Sequence, residues 1–205
     1  MKVTLIGDSI RLIGYGCLVP ELLGDVYEVF QPKDNCRFAK YTLRGLFDWR
    51  ADMAGSRIVH WNNGLWDTCD LFGDGSFSTE DEYRTNMLRV ADILLSKYDK
   101  VIFATTTPVS GENMYNRNLV IDRYNKMIVP LLEEKGVIIN DLYSTVAKDI
   151  NRYIRNDDNI HLTDEGSEVC AKQIVDIIKK TAEALAGAEQ KSNCGADEKL
   201  TGLPV

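Results

Sequence analysis

Histidine is scarce in this chain, with only His60 and His161 among 205 residues. The five cysteines, Cys17, Cys36, Cys69, Cys170 and Cys194, are odd in number and form no C-x-x-C pair or Cys/His cluster. Ligand spacing for zinc and a disulfide framework are therefore both missing, and reduced thiols of a cytoplasmic protein are expected. No apolar run approaches membrane-spanning length. The N-terminus has one lysine and then only the short apolar stretch Val3 to Ile6, too little for a signal-peptide core. No membrane partner is expected. Positive charge is also in deficit, since 24 Lys and Arg against 31 Asp and Glu leave a net charge of −7 without a basic cluster. That balance argues against binding along a nucleic-acid backbone.

What is present is an alternation of two hydrophobic periods. Short β-rich apolar runs at 2–6, 26–30, 57–61, 100–105 and 136–140 are bounded by Gly, Asp or Asn. They are often continuous rather than alternating, which suits parallel strands buried on both faces. Between them lie helical stripes. Tyr83, Met87, Val90, Ala91 and Leu94 form one, with Thr79 and Glu82 as a capping box at its start. Val120, Tyr124, Met127, Ile128 and Leu131 form another, which Pro130 should kink or shorten. Leu142, Val146, Ile150 and Tyr153 form a third, and a long stripe runs from about Asp164 to Ala186. Residues 31–57 should hold a loop and a short helix, and 67–79 a surface loop. The pattern predicts one α/β domain over 1–187, with helices on both faces of a central parallel sheet of about five strands. Residues 188–205 read as a polar, poorly ordered tail.

Two segments carry chemistry. Gly7-Asp8-Ser9-Ile10 follows the first strand, so Ser9 stands at a strand's C-terminal end, where open α/β sheets bind ligands. Asp158-Asn159-Ile160-His161 sets an acid three residues before a histidine. A serine hydroxyl is a weak nucleophile until a neutral imidazole accepts its proton, and that imidazole needs a carboxylate to hold its tautomer. Ser9, His161 and Asp158 supply these three parts. The competing readings are a helix cap for Ser9, ahead of a helix over 10–23, and a buried structural histidine for His161. Asp8 is expected to fix the turn, and His60 to pack near the site.

Gly7-Asp8-Ser9 and Asp158-x-x-His161 resemble the first and last motif blocks of the SGNH, or GDSL-type, hydrolases. The resemblance implies a flavodoxin-like α/β/α sandwich and an esterase, lipase, thioesterase or carbohydrate deacetylase activity. It implies Ser9 as nucleophile, His161 as general base and Asp158 as its orienting acid, with no metal or organic cofactor. Leu162-Thr163-Asp164-Glu165-Gly166 also resembles the entry to the family's last helix, with Thr163 as cap. The third block, G-x-N-D, matches His60-Trp61-Asn62-Asn63, which gives Asn62 the oxyanion role beside the Ser9 backbone N–H. His60 replaces the family's glycine there, and Asn63 stands where aspartate is common. The second block normally supplies a glycine N–H, but residues 35–42 contain no glycine, leaving the backbone of Ala39 or Lys40. Trp61, Asn63, Trp66 and Thr107 are the candidate pocket residues, with core packing the rival reading for both tryptophans. The implied substrate is a small-molecule ester, such as an acetyl ester of a carbohydrate. A thioesterase or short-chain lipase using the same triad, and a non-catalytic binding module on the same fold, are the alternatives.

Overall fold

The computed structural model describes residues 1–197. Five strands, β1 (Lys2–Ile6), β2 (Glu28–Phe30), β3 (Ile58–Asn62), β4 (Lys100–Ala104) and β5 (Ile138–Asn140), form one parallel sheet ordered β2-β1-β3-β4-β5. Each lies within two residues of the run expected from the sequence. The continuous apolar runs have the cause anticipated for them. All five positions of β3 are buried because both faces of the sheet are covered.

Alternate side chains divide between two cores. Val3, Leu5, Ile58, Ile102 and Ala104 pack with residues of α1 (Val19–Leu23), α6 (Leu142–Ala147) and α8 (Asp164–Asp197). Ile6, Val59, Trp61, Val101 and Phe103 pack on the other face, with residues of α2 (Ala39–Asp48), α4 (Glu80–Leu95) and α5 (Asn118–Glu134). The short helices α3 (Leu65–Thr68) and α7 (Ile150–Tyr153) complete the set. Because β1 sits between β2 and β3, the strand order reverses at the β1–β3 junction. That reversal opens the crevice in which such sheets hold ligands.

Several local expectations change. Residues 10–23 form a π turn (Ile10–Gly14), a 3-10 turn (Tyr15–Cys17) and α1, not one helix. Pro20 has no N–H to continue an α-helical ladder, and Gly14 adopts a non-helical φ of −109° and ψ of −119°. Pro130 does not shorten α5, which continues to Glu134. The carbonyl deprived of its donor belongs to Lys126, an exposed residue. The stripe from Leu142 to Tyr153 splits into α6 and α7, with the Asp149 side chain accepting from Arg152 N at the second start. The region 67–79 is not all surface, since Asp67 lies within α3 and is wholly buried. Thr163 caps α8 by accepting from Gly166 N at 3.0 Å. That helix runs on to Asp197, and the rest of the expected tail, 198–205, lies outside the described residues.

The capping box at α4 is complete: Thr79 Oγ1 accepts from Glu82 N, and the Glu82 carboxylate accepts from Thr79 N. Thr79→Ala should lower stability by about 1 kcal/mol. A thermal melt should show Tm falling by roughly 2–4 °C.

Candidate active site

The end of β1 is organised by what glycine leaves out. A Cβ on Gly7 would sit 1.8 Å from Asn62 Oδ1. The missing side chain lets the Asn62 amide cross from β3 and lie against β1. There Asn62 Nδ2 donates to Asp8 Oδ1 at 2.8 Å, and Tyr15 OH donates to Asn62 Oδ1 at 2.7 Å. Asp8 Oδ1 also accepts from Ile10 N at 3.0 Å, closing the turn that exposes Ser9. Asp8 therefore fixes the turn as expected, and it also holds Asn62, which the sequence did not reveal. Its other oxygen is buried without a partner. Burial pushes the Asp8 carboxyl up, against the bonds from Asn62 and Ile10 and the nearby Arg11 charge.

Arg11, in the π turn, is 1% exposed and donates to the carbonyls of Pro32, Gly7 and Asp34. It fastens the loop after β2 to the end of β1, and its charge is met by backbone oxygens. Gly7 and Cys36 tighten the same seam, with Cys36 N donating to Gly7 O and Gly7 N to Cys36 Sγ.

His161 arrives from the other end of the chain. Its Nδ1 lies 2.9 Å from Asp158 Oδ2, while Asp158 Oδ1 accepts from Ile160 N and His161 N. Burial works against the Asp158 charge, but the His161 and Ile160 amides and the imidazole outweigh it and hold the carboxyl at about 2. His161 Nε2 is buried and has no hydrogen-bond partner among the described residues. Asn159, at φ 62°, turns the loop, and its carbonyl accepts from Ser110 N and Asn113 Nδ2. Leu162 and Ser167 lie against Gly14 of the π turn, within 3.5 Å of where a Cβ would stand. The segment that follows His161 thus packs on the first-strand turn. Ser9 itself is part-exposed in right-handed helical conformation, and its hydroxyl has no hydrogen-bond partner among the described residues, His161 included. Such bonds are often long in the free state and tighten with substrate.

The second and third blocks meet at Asn63, whose polar atoms are all engaged. Its Oδ1 accepts from Thr42 Oγ1 and Trp61 Nε1, and its Nδ2 donates to Arg37 O. Asn63 is therefore a brace and not a pocket residue. Trp61 is corrected likewise: it is 0% exposed, with its ring 5.0 Å from Phe103. Trp66 stays available at 38% exposure on α3, and Thr107 presents a buried, unpartnered Oγ1 after β4. His60 is wholly buried against Tyr15, and burial pulls its imidazole down to about 3. It stays neutral in the core and is no rival to His161.

Of the two backbone donors left open by the sequence, Ala39 is committed elsewhere. Its N–H donates to both oxygens of Asp67, at 3.2 and 3.0 Å. The N–H of Lys40, in the first turn of α2, has no acceptor among the described residues, and neither has that of Ser9. Sequence reasoning missed Asp67 altogether, because the acids and glycines that follow it read as surface. The only signal was its place one turn past Asn63, beside apolar Leu65 and Trp66.

The five-stranded parallel sheet with its flanking helices is a fold shared with the GDSL-like lipase of Bacteroides thetaiotaomicron, with a TM-score of 0.68 and 18% identity over 88% of each chain. The structure is also similar to the acetyl xylan esterase AlAXEase, with a TM-score of 0.74 and 20% identity over 87% of this chain and 100% of that one. It is similar to the lipase/acylhydrolase from Enterococcus faecalis, with a TM-score of 0.72 and 19% identity over 88% and 96% of the two chains. In sequence the chain is 29% identical over 113 residues to the GDSL esterase/lipase CPRD49 of Arabidopsis thaliana. That match covers 48% of this chain and 44% of the relative, so the chain spans less than half of that protein's length. No protein-family model matches the sequence. No helix among the described residues is long and apolar enough to cross a membrane.

Burial pushes the Asp67 carboxyl up to about 7 from an ordinary 3.8, against the bonds from Ser78 and Ala39. The folded chain keeps this proton over a range in which the unfolded chain has released it. Stability from this group is therefore present at the acid end of the window and falls as pH rises from 3.8 to about 7. Its slope approaches about 1.4 kcal/mol per pH unit. Urea midpoints measured across that window should lose this slope in Asp67→Asn, leaving the one of like sign from Asp8. An unchanged slope would assign the proton elsewhere.

Proposed function

We propose that the protein is a serine-dependent ester hydrolase working through an acyl-enzyme. The observation that carries this reading is the state of His161. One ring nitrogen is held by a carboxylate that stays ionised, and the other is buried without a hydrogen-bond partner among the described residues. Such an imidazole is set up to accept a proton. Ser9 Oγ attacks the ester carbonyl carbon while Nε2 takes the hydroxyl proton. The oxyanion that forms accepts hydrogen bonds from the N–H groups of Ser9 and Lys40 and from the second amide hydrogen of Asn62. Collapse expels the alcohol, protonated by His161. A water deprotonated by the same imidazole then attacks the acyl-enzyme and releases the carboxylic acid, restoring Ser9.

For the substrate we propose a short acyl ester, an acetyl group on a carbohydrate hydroxyl. The acetyl xylan esterases among the structural relatives support this, as does the exposed indole of Trp66 close behind the oxyanion segment, a flat apolar face suited to a sugar ring. Acetylated xylo-oligosaccharides, p-nitrophenyl esters of graded chain length and acyl-CoA thioesters separate this from the lipase and thioesterase readings. Turnover should be fastest on acetyl oxygen esters and fall with chain length.

A fluorophosphonate probe should label the folded protein once, and Ser9→Ala should remove the label. Asp158→Asn should lower kcat by roughly 10³–10⁴-fold by releasing the wrong imidazole tautomer. Labelling that survives Ser9→Ala, or full activity in Asp158→Asn, would overturn the assignment.

A further inference from the structure

Tyr15 takes no part in the reaction proposed above, yet it is wholly buried among apolar residues of the α8-facing core. A buried phenol needs a hydrogen-bond partner. The hydroxyl of Tyr15 has one, Asn62 Oδ1 at 2.7 Å. Tyr15 directly follows the π turn, at the start of the 3-10 turn. Its ring stands edge-on to His60, with centroids 5.8 Å apart and planes at 86°. His60 is anchored in turn through Asn140 to Gln173 of α8.

The oxygen and nitrogen ends of a side-chain amide are almost the same shape, so packing alone does not choose between them. Here the two ends are read by opposite chemistry. Asp8 Oδ1 accepts from the nitrogen end, and Tyr15 OH donates to the oxygen end. The absent Cβ of Gly7 leaves room for the amide but makes no bond to orient it. A bond donated to the carbonyl oxygen of an amide also polarises its N–H groups, making them stronger donors.

We infer that Tyr15 is a positioning residue of the oxyanion hole: its hydroxyl fixes which end of Asn62 faces the reacting carbonyl and strengthens the N–H that meets the oxyanion. This rests on the oxyanion role proposed for Asn62, and the test separates the two. Kinetics on p-nitrophenyl acetate are measured for Tyr15→Phe, Asn62→Ala and the double variant, with thermal melts to establish that each is folded. Asn62→Ala should lower kcat by about 10²–10³-fold. Tyr15→Phe, which deletes one oxygen, should lower kcat by roughly 10–100-fold and leave KM within about twofold, since only transition-state contacts change. In the Asn62→Ala background Tyr15→Phe should add less than about twofold, because the residue through which it acts is gone. Affinity for a trifluoromethyl ketone, whose serine adduct places an oxyanion in the hole, should fall in Tyr15→Phe by the same factor as kcat. A Tyr15→Phe enzyme within twofold of the parent beside an impaired Asn62→Ala would overturn the inference alone. Losses that multiply in the double variant would do so too, since Tyr15 would then act through another group. An unimpaired Asn62→Ala would remove the oxyanion assignment, and the inference with it.

Discussion

The site depends on the contact between the ends of β1 and β3, where the Asn62 amide lies over Gly7. No side chain fits there, since a Cβ would stand 1.8 Å from the amide oxygen. Through that gap the third strand reaches the first, and the Asp8–Asn62–Tyr15 chain ties the turn carrying Ser9 to the end of β3. This polar bridge lies where the strand order reverses, beside the crevice in which such sheets hold ligands.

Around the bridge, buried polar groups hold the loops that the reaction needs still. Arg11 binds three carbonyls, Asn63 joins the second and third blocks, and Asp67 caps the start of α2 by taking the Ala39 N–H. The last of these contacts engages the Ala39 N–H, while that of Lys40 has no acceptor among the described residues. The Asp158–His161 loop is secured separately, by the bonds from Ser110 and Asn113 to Asn159 O. Each brace places a polar group in the interior with its partners supplied, which is the condition for burying it at all.

The sheet was legible in the sequence because strands buried on both faces are written as uninterrupted apolar runs, and 57–61 lies one residue from the observed β3. The Asp158–His161 pair was legible because D-x-x-H is a local pattern, and the Ser9 turn because it follows a first strand. What stayed hidden was non-local. Nothing near Tyr15 in the sequence points to Asn62, which is 47 residues away. Asp67 resembled its exposed neighbours, and Trp61 looked like a pocket aromatic although strand alternation turns it into the α2-α4-α5 core. Residues 10–23 had helical spacing, but Gly14 and Pro20 break the ladder in ways that periodicity does not register. Arg37, in the second block, takes the left-handed conformation at φ 49°, which no glycine in the sequence signalled.

The central claim is that Ser9 carries the acyl group between two half-reactions. It is tested most directly by quenching the enzyme in acid during turnover of an acetyl ester and measuring its intact and peptide masses. The expected result is one added acetyl group on the peptide containing Ser9, which forms at the rate of the initial burst and disappears when substrate is exhausted. Continued turnover with no adduct, or an adduct on another residue, would contradict it.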